Sequence, residues 1–138
     1  MATLQSEVVK VTIDKPFEEV TRYVSDPSSA HEWATEFFGG PLRAVEGEEY
    51  IATVPMMGGE VRYRQDVDAK RGVVDVYIAP KGADFGPPLP VRVVPNGDGA
   101  DVLWTLARFP GTPDEAWQAG LGSMERELYN LKRLLESR

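Results

Sequence analysis

The end of the chain carries an apolar pattern with the period of a long helix. Large apolar side chains recur there at steps of four, three, four, three and four, at Trp117, Leu121, Met124, Leu128, Leu131 and Leu135. Such spacing keeps one stripe on one side of an α-helix for about five turns. The opposite side is expected to carry the charged residues Glu127, Lys132, Arg133 and Glu136. A stripe of this length must be buried against another apolar surface, and that requirement constrains the rest of the fold.

A helix-start signal precedes the stripe. In the sequence Thr-Pro-Asp-Glu at residues 112–115, Thr112 is expected to cap the helix and Pro113 to occupy its first position. Glu115 lies where it would complete a capping box with Thr112.

The middle of the chain has the pattern of strands and turns that is typical of consecutive β-hairpins. Alternating strands are expected at about 42–46, 49–55, 60–68, 73–80, 89–95 and 100–108, separated by glycine-containing turns. An earlier segment with the same alternation, residues 4–14, is expected to form a seventh strand. Three turns set the register, pairing Val54 with Val61, Val67 with Val74, and Val93 with Val102. These pairings put the apolar side chains on one face of the sheet and Arg and Asp on the other, but they leave the direction of Arg43 open.

Two short helices are expected between the first strand and the hairpins. The first starts near Pro16, and Asp26-Pro27 breaks it. The second starts at Ser28 or Ser29 and runs to about Phe38, where Gly-Gly-Pro ends it.

The architecture predicts a hollow between the sheet and the last helix. One helix can cover a long antiparallel sheet only if the sheet curls around it, and curling leaves a volume for side chains or a ligand. The residues expected to face inward are mostly valines, which are modest in size. We therefore expect a cavity there.

Composition excludes several classes of function. The chain of 138 residues suits a single domain, 1–138, and its net charge of −7 argues against nucleic acid as a partner. With no cysteine and one histidine, His31, neither a thiolate site nor a multi-histidine metal site can form, so no metal or cofactor is expected. The start of the chain lacks the features of a signal peptide, and no segment reaches the ~20 apolar residues of a membrane span. A cytoplasmic location is expected.

The order of elements and several segments resemble a known superfamily. The segments are VVKVTIDKPFEEVTRYVSDPSSAHEW at the start, and GADVLWTLARF with TPDEAWQAGLGSMERELYNLKRLLES at the end. The chain is similar over essentially its whole length to the START-related helix-grip (SRPBCC) superfamily, and most similar to its polyketide cyclase/dehydrase-like group. The resemblance implies an α+β helix-grip fold, in which a curved antiparallel seven-stranded sheet wraps around a long C-terminal helix and two short helices follow strand 1. Members of this superfamily bind lipids, sterols, polyketides and plant hormones; some are cyclases and some co-chaperones.

The inward face is expected to carry few polar groups, namely Tyr50, Tyr63, Gln65 and the indole N–H of Trp104. Tyr63 and Gln65 are two positions apart on one strand, so they project side by side. A buried phenol or amide needs a hydrogen-bond partner. This suits an apolar ligand with one or two oxygens, although the same residues could instead satisfy one another in a closed core.

The remaining candidate ligand-binding residues are apolar. Met56, Met57 and Phe85 are expected in glycine-containing loops around the mouth of the cavity, as are Phe37 and Phe38. On the helix side, the wall of the cavity is expected to consist of Trp117, Leu121 and Met124. Trp33 is expected to be a packing residue.

These features favour binding of a hydrophobic small molecule, such as a lipid or polyketide. The alternative is a polyketide cyclase or aromatase that uses the same cavity, with Tyr63 and either His31 or Arg43 in proton transfer. A second alternative is a protein-interaction module, in which the loops rich in Phe, Met and Gly dock a partner or a second copy of the chain as a homodimer.

Overall fold

The computed structural model describes residues 2–138 and contains one seven-stranded antiparallel sheet. The strands are β1 (Ser6–Ile13), β2 (Arg43–Ala44), β3 (Tyr50–Val54), β4 (Gly59–Asp68), β5 (Val73–Pro80), β6 (Leu89–Asn96) and β7 (Gly99–Ala107). Their order across the sheet is β1-β7-β6-β5-β4-β3-β2. Consecutive strands are therefore neighbours from β2 to β7, and β1 joins the sheet at the far edge beside β7.

Three α-helices complete the fold. Helix α1 (Phe17–Val24) and helix α2 (Ala30–Trp33) follow β1, and helix α3 (Asp114–Glu136) ends the chain. Short 3₁₀ turns lie at Pro27–Ser29, Pro55–Met57 and Ala69–Arg71. The curved sheet, the long last helix and the two short helices after β1 confirm the predicted α+β helix-grip fold.

Helix α3 buries the predicted apolar stripe. Leu128, Leu131 and Leu135 are almost fully buried, and the helix packs against β1. Each leucine that leaves water for such a core stabilises the fold by roughly 1.5–3 kcal/mol. Helix α3 is thus fastened mainly by its aliphatic side chains.

The prediction that Glu127 lies on the solvent side of α3 is wrong. Only 2% of the surface of Glu127 is exposed, so this residue is buried. Its Oε2 atom accepts hydrogen bonds from the backbone N–H groups of Glu36 and Phe37, at 3.1 and 3.0 Å.

The same two hydrogen bonds explain why α2 is shorter than predicted. The helix ends at Trp33 rather than at about Phe38, and Ala34 leaves the helical conformation with φ −85° and ψ 59°. The N–H groups of Glu36 and Phe37 donate to the Glu127 carboxylate, so they are not available for a helix.

The start of α3 also differs from the prediction. The helix begins at Asp114, Pro113 is its N-cap, and no side chain in the described part of the chain caps it. Thr112 instead presents its carbonyl oxygen to Arg108, whose Nε donates to it at 3.1 Å. The predicted capping box does not form.

One of the three predicted registers is wrong. Val54 pairs with Gly59 and Tyr50 with Tyr63, two residues from the predicted alignment. The turn is tighter than expected because Gly58 and Gly59 adopt φ angles of 85° and 137°, where glycine has no steric penalty. A shift of two residues preserves the faces, so Tyr50 and Tyr63 stay on the inner side. The Val67–Val74 and Val93–Val102 pairings are confirmed.

The outer face of the sheet is charged. Asp66 lies opposite Asp75, as the register requires, and each carboxylate has its own arginine. Arg64 donates to Asp66 at 2.6 Å and Arg92 to Asp75 at 2.8 Å, which offsets the repulsion between the two carboxylates. Arg43 also points outward, 3.6 Å from Glu60. Within residues 2–138, no helix is long and apolar enough to cross a membrane.

Candidate functional site

A cavity of about 70 Å³ lies on the concave side of the sheet, beneath α1, α2 and the segment that follows α2. The sheet contributes eight lining residues, which are Tyr63, Gln65, Val74, Val76, Ile78, Leu89, Val91 and Trp104. The helical side contributes Val24, Ala30, Trp33, Ala34, Phe37 and Phe38. The lining is almost entirely aliphatic and aromatic, which is typical of small-molecule sites in proteins.

One hydrogen-bonded pair is the polar feature of the sheet wall. The Nε2 atom of Gln65 donates to the hydroxyl oxygen of Tyr63 at 2.7 Å. Tyr63 is 3% exposed, and its burial raises the pKa of the phenol to about 12. The phenol therefore keeps its proton at neutral pH and accepts from Gln65, which leaves its own O–H free to donate.

Two tryptophans face each other across the cavity wall. The rings of Trp33 and Trp104 lie 5.9 Å apart between centroids and are inclined at 72°. Among residues 2–138, the indole N–H of each is buried without a hydrogen-bond partner. An unpaired buried donor costs about 1–3 kcal/mol, so an acceptor that reached either indole N–H would recover that cost.

Four candidate residues from the sheet lie in or beside this site. Tyr63, Gln65 and Trp104 line the cavity. Tyr50 lies behind them, with its ring edge-on to Tyr63 at a centroid distance of 6.4 Å. Their role in binding a ligand stays a prediction.

The predicted helix wall lies apart from this cavity, and its part in binding a ligand stays a prediction. Trp117, Leu121 and Met124 are buried or half-buried on α3, but they do not line the cavity. The reason is that α3 fills the space above its part of the sheet with side chains, while the hollow persists beneath the shorter α2.

Three residues predicted at the mouth of the cavity are likewise not among its lining residues, and their part in binding stays a prediction. Met56 and Met57 sit in the turn between β3 and β4 with exposures of 77% and 42%, and neither lines the cavity. Phe85 lies on the outer face of the sheet, 6.0 Å from the ring of Tyr77 and 4.2 Å from the guanidinium carbon of Arg62. The attraction between this cation and the ring holds the loop against the outer face.

Sequence reasoning expected Trp33 only as a packing residue, and it placed Glu127 on the solvent side of α3, so it found neither the cavity-lining position of Trp33 nor the burial of Glu127. A usable signal for Glu127 was its spacing, because it is three residues after Met124 and four before Leu131. These are positions on the same helix face as the apolar stripe.

Glu127 has an unusual environment for a carboxylate. Burial raises its pKa to about 7, although the two backbone N–H donors and Arg126 act in the opposite direction. Its neighbour Arg126 is engaged with Glu36 instead, through two hydrogen bonds of 2.7 Å. Those bonds and one of 2.9 Å from Ser123 lower the pKa of Glu36 to about 2.

The described residues contain no cluster of side chains suited to bind a metal ion. Nowhere in residues 2–138 do three or more His, Cys, Asp or Glu side chains come together in a way that could hold an ion.

Solved structures with the same architecture cover nearly the whole chain. An uncharacterised protein from Bacillus thuringiensis superposes with a TM-score of 0.72 at 15% identity, over 94% of this chain and 98% of that one. Ara h 8.0201 superposes with a TM-score of 0.70 at 13% identity, over 98% and 99% of the two chains. The Aha1 protein from Colwellia psychrerythraea, a dimer in solution, gives 0.68 at 14% identity and 94% of each chain. At these identities the likeness establishes the fold.

Sequence comparison gives the family. No curated protein is significantly similar to the chain. A family model described as "Polyketide cyclase / dehydrase and lipid transport" matches residues 5–136. Because this match spans almost every residue of the sheet and of α3, the chain belongs to the polyketide cyclase/dehydrase and lipid transport family.

Proposed function

We propose that the protein binds a small, uncharged, largely apolar molecule that carries at least one hydrogen-bond acceptor. The observation that carries this proposal is the apolar cavity with the Tyr63–Gln65 pair on its wall. Family membership supports the same class of ligand, since the family description includes lipid transport.

The lining favours a neutral ligand. The fourteen lining residues in the described part of the chain include no Asp, Glu, Lys, Arg or His. Burying an unpaired charge is costly, so a carboxylate or ammonium group would have no counter-charge at the wall.

The polar groups favour an acceptor on the ligand. The Tyr63 hydroxyl accepts from Gln65 and retains a hydrogen that it can donate. The indole N–H groups of Trp33 and Trp104 are further donors without partners among residues 2–138. A ketone or ether oxygen would satisfy such donors, whereas a hydrocarbon would leave them unpaired.

Size sets a limit on the closed cavity. A cavity of about 150 Å³ is needed to hold benzene in an apolar protein core. The cavity here is about half that volume, so a ring-sized ligand requires part of the wall to move. A lipid or a polyketide would require a larger movement.

A matched pair of probes tests the proposal. Acetophenone and ethylbenzene have nearly the same shape, but only acetophenone carries an acceptor oxygen. Binding is followed through the fluorescence of Trp33 and Trp104, and we expect acetophenone to bind about fivefold more tightly, since one hydrogen bond contributes about 1 kcal/mol. Tyr63→Phe with Gln65→Leu should remove that preference, whereas Tyr77→Phe on the outer face should keep it. Failure of both probes to bind would overturn the proposal.

Catalysis is less well supported than binding. Of the three residues considered for proton transfer, Tyr63 lines the cavity, whereas His31 and Arg43 do not. A general acid–base group should have a pKa near the working pH, and burial moves the pKa of Tyr63 to about 12.

The interaction module and the homodimer stay predictions. The Aha1 neighbour forms a dimer, and exposed apolar side chains of this chain include Met56 at 77% and Phe109 at 69%. Sedimentation velocity across a concentration range would test self-association directly.

A further inference from the structure

Residues 34–40, here called the strap, are the irregular part of the cavity wall. Eleven of the fourteen lining residues belong to helices or strands, whereas Ala34, Phe37 and Phe38 belong to the strap. The strap begins where α2 ends, with the Ala34 N–H donating to Ala30 at 3.0 Å. It ends near Gly39, whose N–H donates to the Thr53 carbonyl oxygen on β3 at 2.8 Å. It is therefore anchored at both ends and spans the site between them.

One face of α3 holds the middle of the strap. The contributing residues are spaced three, one and three apart, at Ser123, Arg126, Glu127 and Asn130. Ser123 and Arg126 bind the Glu36 carboxylate, and Glu127 accepts from the backbone N–H groups of Glu36 and Phe37. Asn130 donates to the Trp33 carbonyl oxygen and to the Thr35 hydroxyl, both at 3.3 Å. We call this set of contacts the latch.

The latch is chemically different from the rest of the attachment of α3. Its contacts are hydrogen bonds and an ion pair, which water can replace when the strap lifts. The leucines of α3 cannot be separated from the sheet without exposing apolar surface to water. Lifting the strap also exposes the half-buried rings of Phe37 and Phe38, but it leaves the leucine core of α3 intact, so it costs less than separating α3 from the sheet.

Two glycines allow this movement. Gly39 and Gly40 follow Phe38 and lead into an exposed connection before β2. Glycine has the widest backbone freedom of any residue, so this end of the strap can turn without steric conflict. Movement here would displace Phe37 and Phe38, whose rings cover the cavity.

We propose that the strap is the door to the cavity, and that the latch on α3 sets how often it opens. This inference rests on the proposed function, because a door has meaning only if a ligand passes it. Opening exposes the hollow between Phe38 and the β4–β5 wall, and closing restores the latch over the bound ligand.

Glu127 makes the latch sensitive to pH. The charged groups beside it are Glu36 on the strap and Arg126 on α3. Helix α2, which packs against α3, carries His31 and Glu32, and Glu32 accepts a hydrogen bond from Tyr23 at 2.7 Å. When the strap lifts, water reaches the Glu127 carboxylate, and its pKa falls from about 7 towards its ordinary value of 4.5. The ionised form therefore favours the open door, and opening becomes more frequent as the pH rises from about 4.5 to about 7.

Two substitutions on neighbouring helix positions test the door in opposite directions. Arg126→Gln breaks the ion pair with Glu36 and should speed both association and dissociation of acetophenone about threefold. Glu127→Gln keeps the shape and an acceptor oxygen but removes the buried charge, so both rates should fall about tenfold at pH 7.5. In both variants the dissociation constant should stay unchanged, since the door is closed in the free and the bound states alike. Rates are measured from the NMR exchange of bound and free probe.

The pH profile supplies a second readout with matched controls. In the unmodified chain both rates should rise between pH 5 and 7.5, and Glu127→Gln should remove that rise. His31→Gln should keep it. Asp75→Asn, which breaks the ion pair with Arg92 on the outer face, should leave the rates unaltered.

The outcomes separate the two proposals. If acetophenone and ethylbenzene both fail to bind the unmodified chain, the proposed function fails. If a probe binds but Arg126→Gln and Glu127→Gln leave both rates unchanged, or change the dissociation constant alone, the door proposal is wrong and the binding site stands.

Discussion

The concave side of the sheet has two covers that differ in how they are filled and how they are held. Beside β1 the cover is α3, whose Leu128, Leu131 and Leu135 are almost fully buried. Over β4 and β5 the cover is α2 with the strap, and a cavity of about 70 Å³ remains beneath it. One cover is held by aliphatic packing, and the other by polar contacts to α3 together with the packing of Phe37 and Phe38. The difference indicates that a hollow persists where the cover is too short to supply enough side-chain volume.

The aromatic residues of the strap cannot replace the leucines of α3. Phe37 and Phe38 stack edge-to-face on each other at a centroid distance of 5.0 Å, and Phe38 meets Tyr63 at 5.8 Å. Rings in such arrangements touch at edges, so they bridge a space that branched aliphatic side chains would fill.

The largest expected effect comes from truncating one residue of each cover. Leu131→Ala should lower the free energy of unfolding by about 2–5 kcal/mol, because it leaves a void in a filled region. Phe37→Ala should cost about 1 kcal/mol, since its ring is half-buried beside an existing hollow and packs against a movable segment. Urea denaturation followed by circular dichroism measures both. Equal losses at the two positions would contradict the difference between the covers.

The second effect concerns the pH dependence of stability. Because the folded protein raises the pKa of Glu127 from 4.5 to about 7, the folded state binds the extra proton more tightly than the unfolded state does. The contribution of Glu127 is therefore greatest below pH 4.5 and is lost as the pH rises through about 7, by roughly 1–3 kcal/mol. Glu127→Gln should remove this loss, seen as the difference between the two denaturation profiles from pH 5 to 8.

A local measurement sharpens the same prediction. Hydrogen exchange of the amides in residues 34–40 should quicken with pH beyond the intrinsic rate, while the amides around Leu131 should not. Extra quickening at both places would mean that Glu127 acts on the whole fold, and the polar cover would then not be a separate unit.

The smallest effect is expected at Val76, and its sign is opposite to that of the same substitution at Val102. Val76 lines the cavity, whereas Val102 is fully buried in the filled core and does not line it. Val76→Leu should stabilise the fold by up to about 0.8 kcal/mol, because the added methylene enters a void, and it should weaken acetophenone binding. Val102→Leu should destabilise the fold by about 1–3 kcal/mol through overpacking. Thermal unfolding of the two variants measures both, and destabilisation of Val76→Leu by the same amount would mean that the space is not available.

Local patterns were sufficient to predict the element order and the faces of the sheet. Alternation placed Tyr63 and Gln65 on the inner face even though the register at Val54 was wrong by two residues, because the period of a strand is two. The apolar stripe of α3 was equally predictable, since its spacing depends only on helix geometry.

The position of the cavity could not be predicted in this way. It depends on how much volume each cover supplies, and that depends on where α2 ends. The end of α2 is set by Glu127, a residue more than ninety positions away that takes the N–H groups of a further helical turn. The position of Phe85 on the outer face likewise depends on a contact distant in sequence, because its ring packs on the guanidinium of Arg62.

The pairing of the first strand with the last has a consequence for synthesis. Thr12 on β1 and Asp101 on β7 are neighbours in the sheet and lie 89 residues apart in the chain. During translation the valines of β1 are made well before the strand that receives them. Closing so long a loop is slow, and the nascent chain must keep that apolar edge from aggregating until β7 has been made.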